Sequence, residues 1–185
     1  MKTYTSKDKT DITDTLNIYG KTSQELTKVL YNTNKYAILD ILIDNSTLNQ
    51  EAYKIIATFK NLQILNLNNT KIINDGLKYL AILPKLQTLN LGHTSITDGG
   101  LKYLQLFSNL EELNLIDTSI TDKGLKYLQP LQNLTTLSLG YTSITDKGIK
   151  IITTYKKLKY LNIYNTKITA KGKEQLKQIF SNTYT

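Results

Sequence analysis

Apolar positions along this chain return with a single long period. A register leucine falls at Leu62, Leu86, Leu110, Leu134 and Leu158, 24 residues apart and with no insertion between units. Counting from that leucine, positions 1, 4, 6 and 11 are aliphatic and position 9 is threonine, as in Leu86, Leu89, Leu91, Ile96 and Thr94. Alternation through positions 3 to 6 predicts a short strand with residues 4 and 6 turned to one side. The following phrase T-D-x-G-L-x-x-L, as in Thr97, Asp98, Gly100, Leu101 and Leu104, predicts a helix whose N-cap is either the threonine or the aspartate. Units of this length cannot bury an apolar face alone, so they stack into a solenoid with one continuous core.

The template extends beyond the clear units. A degenerate copy starts at Ile38, with Ile41, Ile43, Ser46 and Leu48 on the repeat positions, while Glu51 and Ala52 replace the Asp-x-Gly. Upstream, the alternating run Leu16 to Tyr19 precedes Thr22-Ser23-Gln24-Glu25, a capping-box pattern, and a helical stretch through Leu26, Val29 and Leu30. Residues 1–35 are therefore expected to form an N-terminal capping segment, and residues 36–185 the repeat domain. At the far end Ile179 and Phe180 are candidates to close the core. Residues 1 to about 14 and 181 to 185 are polar and are expected to fray.

Two columns carry a structural cost that needs a reason. Thr70, Thr94, Thr118, Thr142 and Thr166 sit where the chain leaves each strand, and a hydroxyl there satisfies the backbone of a buried turn. Gly76, Gly100, Gly124, Gly148 and Gly172 fall in the first helical turn, where glycine costs about 1 kcal/mol. Packing between repeats too close for a Cβ explains that choice.

The phrase T-x-I-T-D-x-G-L-x-x-L, with a helix on the outer side, resembles the ribonuclease-inhibitor-like and cysteine-containing class of leucine-rich repeats, over roughly Ile38 to Phe180. That class also occurs in F-box substrate receptors and in some bacterial effectors. The resemblance implies an α/β fold: a right-handed solenoid arc with parallel strands on the concave face and helices on the convex face. Threonine here replaces the consensus cysteine or asparagine, and the first 35 residues hold no F-box-like segment.

Composition narrows the chemistry. Cysteine is absent and histidine occurs once, as His93, so neither disulfides nor a thiolate metal site is possible, and no cofactor is expected. All 23 basic residues are lysine, which removes the arginine fork that reads guanine, so specific nucleic-acid recognition is not expected. No apolar run suits a signal peptide or a membrane span. A soluble, cytoplasmic bacterial monomer is the expectation, with delivery into a host cell without a classical signal peptide as the alternative.

Surface columns then suggest where binding occurs. Positions 3, 5, 7 and 8 face the concave side; position 5 is nearly uniform (Asn66, Asn90, Asn114, Ser138, Asn162) and reads as an amide ladder that keeps the sheet wettable. The variable columns gather His93, Glu112, Ile116, Asp117, Tyr141, Tyr160 and Tyr164, with hollows expected at Gly92 and Gly140. Tyrosines beside acids suit a protein-binding surface. His93 and Asp117 fall on adjacent strands, with Tyr141 the single candidate for a third catalytic member, but an open sheet excludes water poorly. The concave columns hold Asp40, Asp44, Glu112 and Asp117 and no lysine, whereas the net charge of +8 gathers on outer columns such as Lys54, Lys78, Lys102, Lys126 and Lys150. Tyr79, Tyr103 and Tyr127 stand beside that lysine column and suit the seams between helices. These features predict a non-enzymatic module that binds a protein of basic or mixed surface through the concave face. Weak association of the convex lysines with anionic membranes or nucleic acid is the alternative.

Overall fold

Positions 4 and 6 reach the same side only where the backbone is extended, and extension recurs in every unit. The computed structural model describes residues 15–180 and 182–185. Among them, eight strands line up in chain order as one open parallel sheet: β1 (Thr15–Tyr19), β2 (Asp40–Asp44), β3 (Ile64–Asn66), β4 (Thr88–Asn90), β5 (Glu112–Asn114), β6 (Thr136–Ser138), β7 (Tyr160–Asn162) and β8 (Asn182–Tyr184). Pairing follows the repeat register, so Leu65, Leu89, Leu113, Leu137 and Leu161 are successive partners.

Among the described residues seven helices form the outer layer: α1 (Ser23–Tyr31), α2 (Gln50–Ile56), α3 (Asn74–Leu80), α4 (Asp98–Leu104), α5 (Asp122–Leu125), α6 (Asp146–Ile152) and α7 (Ala170–Ile179). A 3-10 turn, Lys126–Leu128, continues α5. Strand and helix residues meet in one core that runs the length of the solenoid from Ile18 to Phe180. Leu83, Phe107, Leu131 and Tyr155 lie in the same helix-side column of that core.

The ends differ in how they fit the template. β1 pairs with β2 residue for residue, from Thr15 with Asp40 to Tyr19 with Asp44. α1 begins with the capping box: Glu25 N–H donates to Thr22 Oγ1 at 3.4 Å, and Thr22 N–H donates to Glu25 Oε2 at 3.0 Å. At the other end the expected fraying of 181 to 185 is corrected for residues 182–184, which form β8 beside β7, while residue 181 lies outside the described residues. Tyr160 pairs with Asn182, so the last unit is 22 residues long, and Phe180 takes the register-leucine position, buried. Ile179, by contrast, is half exposed. Residues 1–14, also expected to fray, lie outside the described residues.

Between repeats, threonine and aspartate divide the capping work. Thr97, Thr121 and Thr145 are the N-caps, accepting from Gly99, Lys123 and Lys147 N–H. The aspartate after each one reaches into the next repeat: Asp98 accepts from Thr121 N–H at 2.8 Å and Thr121 Oγ1 at 2.6 Å. Asp122 does the same for Thr145, at 2.9 and 2.7 Å, and Asp146 for Thr169, at 2.8 Å twice. The recurring glycine lies against this bridge. A Cβ on Gly172 would stand 2.5 Å from Asp146 Oδ1, and one on Gly124 would collide with Asp98. Gly76 instead makes room for the Tyr53 ring, 2.7 Å from such a Cβ.

Candidate functional site on the concave sheet face

Four strands, β3, β4, β5 and β7, leave the sheet through the same hydrogen-bonded turn. Asn66, Asn90, Asn114 and Asn162 use Oδ1 to accept from the N–H two residues on, at 2.9 Å in each case. The position-5 ladder thus does more than wet the sheet: it closes an Asx turn. Thr70, Thr94, Thr118, Thr142 and Thr166 donate Oγ1–H to the carbonyl three residues back at 2.6–2.8 Å, which satisfies the buried turn. The amides also occupy the space expected to be hollow. Gly92 and Gly140 are buried, and a Cβ on them would meet Asn68 Oδ1 at 3.0 Å and Asn162 Oδ1 at 3.1 Å.

Between these two anchors, position 8 is forced into the left-handed region. Asn45, Asn69, His93, Asp117, Tyr141 and Asn165 have φ of 48°, 53°, 56°, 52°, 56° and 52°. Gly20, with φ of 62°, continues the column beyond β1. Asparagine and aspartate tolerate this conformation through local hydrogen bonding, whereas other side chains incur of order 1 to 2 kcal/mol. Histidine is also enriched in this region, which leaves Tyr141 as the residue of the column that carries a bulky ring against that preference. Strain of this kind concentrates at functional positions.

The seven candidate residues separate into two groups. Along positions 7 and 8, His93 Nδ1–H donates to Asp117 Oδ2 at 3.0 Å, with both side chains more than half exposed. Ile116 is half-buried beside them. Tyr141 makes an edge contact with Tyr164, ring centres 5.5 Å apart and planes at 62°. Glu112 and Tyr160 lie apart from this row, at position 3 of β5 and β7, with Thr136 between them in the register. Both are exposed.

One member of the row was invisible to the 24-residue template. Tyr184 on β8 stacks at a tilt on Tyr164, with centroids 5.3 Å apart, and extends the aromatic row to the sheet edge. The available signal was Phe180: treating it as a register residue places Tyr184 at concave position 5, opposite Asn162. Partial desolvation raises the Tyr141 phenol above its ordinary pKa, and the Tyr164 and Tyr184 phenols and the Asp117 carboxylate add to the shift. Tyr141 is therefore neutral at physiological pH, and its carboxylate neighbour supplies the negative charge.

Residues 60–81, 83–104, 108–128 and 131–152 each match the Leucine Rich repeat family model. The chain is a leucine-rich repeat protein. An internalin of Listeria monocytogenes superposes with a TM-score of 0.64 at 22% identity, over 78% of this chain and 38% of the internalin. A leucine-rich repeat protein of Leptospira interrogans gives 0.61 at 23% identity, over 85% of this chain and 38% of its own. The chain thus spans well under half the length of either structure, and the likeness is one of fold. No curated protein matches it in sequence.

On the convex side of this leucine-rich repeat solenoid, charge and aromatic surface are arranged differently. Tyr79, Tyr103 and Tyr127 are half-buried and pack against the core. Lys102 Nζ and Lys126 Nζ each lie 4.8 Å from the ring centre of the tyrosine that follows. Tyr53 stacks on Tyr79 with planes 9° apart, and its burial pushes the phenol up to about 12. Among the described residues no helix is long and apolar enough to cross a membrane, and no cluster of three or more His, Cys, Asp or Glu could hold a metal ion.

Proposed function

We propose that the chain is a non-enzymatic module that binds a protein partner through its concave sheet face. Leucine-rich repeat folds commonly mediate protein–protein interaction, and the observation that carries the reading here is local. Tyr141 holds its ring at a left-handed position where asparagine serves the fold in Asn45, Asn69 and Asn165. The turn itself gains nothing from that ring, so a surface role accounts for it better. Exposed tyrosines supply large contact area at small entropic cost. Acidic residues at the same face favour a partner of basic or mixed surface and steer its approach.

The test compares the two faces directly. A photo-crosslinking residue is placed at position 164 or position 102 of the full chain, and each version is irradiated in the native host. A protein captured from position 164 and not from 102 is expected. Its affinity for a triple variant, Asp117→Asn, Tyr141→Asn and Tyr164→Asn, is then expected to fall by about 100-fold, consistent with loss of a few hot-spot residues. Asn69, Asn165 and Asn68 already occupy the same columns, so the variant keeps side chains the turn accepts. Unchanged affinity in a folded variant would sink the proposal.

A further inference from the structure

We infer that Tyr141, Tyr164 and Tyr184, with Asp117 at the end of their row, form a docking site for one lysine or arginine side chain of a protein partner. The inference rests on the concave-face reading and deepens it by naming the chemistry that is recognised. The three rings contact one another in series, at 5.5 and 5.3 Å, and are 50%, 40% and 62% exposed. Mutual packing fixes the rings before a ligand arrives, which lowers the entropic cost of binding.

Charge then selects the occupant. Neutral phenol rings present the negative face of a quadrupole, and a cation within ~6 Å of a ring centre is attracted to it. Asp117 adds a full negative charge beside Tyr141, and its hydrogen bond to His93 engages Oδ2, so Oδ1 can take a second donor. An acidic side chain would be repelled by that carboxylate. A purely aliphatic one would desolvate it without replacing the lost hydrogen bonds. The concave columns of β2 to β7 contain Asp40, Asp44, Glu112 and Asp117 and no lysine, so no lysine of those columns competes for the rings, and His93 is engaged with Asp117. The molecule makes the same pairing on its outer side, where Lys102 and Lys126 lie over tyrosine rings at 4.8 Å.

The experiment uses the full chain with 13C-labelled tyrosine rings and capped probe peptides Gly-Gly-X-Gly-Gly, where X is arginine, lysine, citrulline or glutamate. Arginine and lysine peptides are expected to shift the Tyr141, Tyr164 and Tyr184 ring signals saturably. Citrulline keeps the shape of arginine without its charge, and should bind about fivefold more weakly, the size of an exposed cation–π contact. In Tyr141→Asn the shifts at Tyr164 and Tyr184 should vanish, while unmoved Tyr103 and Tyr127 signals report an intact fold. Equal binding of citrulline and arginine, or shifts that survive Tyr141→Asn, would overturn the inference. A glutamate peptide that moves the same rings more than arginine does would overturn it too, while leaving the concave face as the binding surface. If no peptide moves any concave ring the cation site is refuted, and the crosslinking comparison decides the broader reading separately.

Discussion

The conflict at position 8 is between backbone and side chain, and it can be resolved at a single residue. Tyr141 sits at φ of 56°, where a Cβ-bearing residue without a short polar side chain is strained. Its edge contact with Tyr164 recovers part of that cost, since aromatic pairs contribute about 0.5 to 1.5 kcal/mol. Replacing the ring therefore changes two terms of opposite sign and similar size. Tyr141→Asn relieves the strain and loses the contact, so its stability should equal the parent's within error. Tyr141→Ala loses the contact and keeps the strain, and should be about 1 kcal/mol less stable than the asparagine variant. That difference is roughly 2 to 4 °C in Tm for a chain of this size, read by circular dichroism. Equal melting of the two variants would mean that the left-handed position carries no penalty, and would remove the argument that the ring is kept for binding. The same comparison shows why asparagine is the informative replacement in binding tests. It was already legible in the sequence as the commonest residue of the column, although only the backbone angles explain its presence there.

Between elements, the decisive contact is the one that crosses from one repeat to the next. Period and strand register were readable from the leucine spacing, because core burial imposes them on every unit alike. The bridge from Asp98 to Thr121 was not, since either residue of a Thr-Asp pair can cap its own helix and their 23-residue separation points to no partner. β8 escaped for a different reason: a last unit shortened by two residues slips Thr183 and Tyr184 out of the 24-residue frame, and the tail then reads as polar and frayed. The site was half legible on the same grounds. Tyr141 and Tyr164 stood out by column, but their partner Tyr184 depended on that slipped register. The bridge also predicts a graded response. Asp98 accepts two hydrogen bonds from Thr121, and a charged acceptor contributes about 1.5 to 3 kcal/mol, reduced here by partial exposure. Asp98→Ala should therefore cost about 1 to 2 kcal/mol in urea unfolding. Asp98→Asn should cost less than half as much, because the preceding repeat already works with an amide. There Asn74 accepts from Thr97 N–H at 3.0 Å and donates to Thr97 Oγ1 at 2.8 Å. If the asparagine variant loses as much as the alanine variant, charge rather than geometry holds the repeats together.

Across the whole molecule, each repeat is supported chiefly by its two neighbours, and this sets how damage spreads. Among the described residues the sheet runs β1 to β8 in chain order with no strand returning to bridge distant repeats, so cooperativity passes along one dimension. Leu113 on β5 and Leu161 on β7 occupy the same repeat position and are each 1% exposed, so truncation to alanine removes about the same local energy, roughly 2 to 5 kcal/mol. Their positions along the solenoid differ. Among the described residues α7 and β8 follow Leu161, whereas Leu113 has several repeats on both sides that lean on its unit. Hydrogen exchange followed by mass spectrometry should therefore show Leu161→Ala raising exchange from about residue 155 onward, with β2 to β5 still protected. Leu113→Ala should raise exchange on both flanks and lower the global transition. Uniform acceleration of the whole chain by both variants would indicate all-or-none unfolding and refute the nearest-neighbour account. The distinction bears on binding, because Tyr164 and Tyr184 lie in the stretch that Leu161→Ala should loosen first. That variant should weaken capture of a concave-face partner at temperatures where the amide signals of β2 to β5 still report a folded sheet.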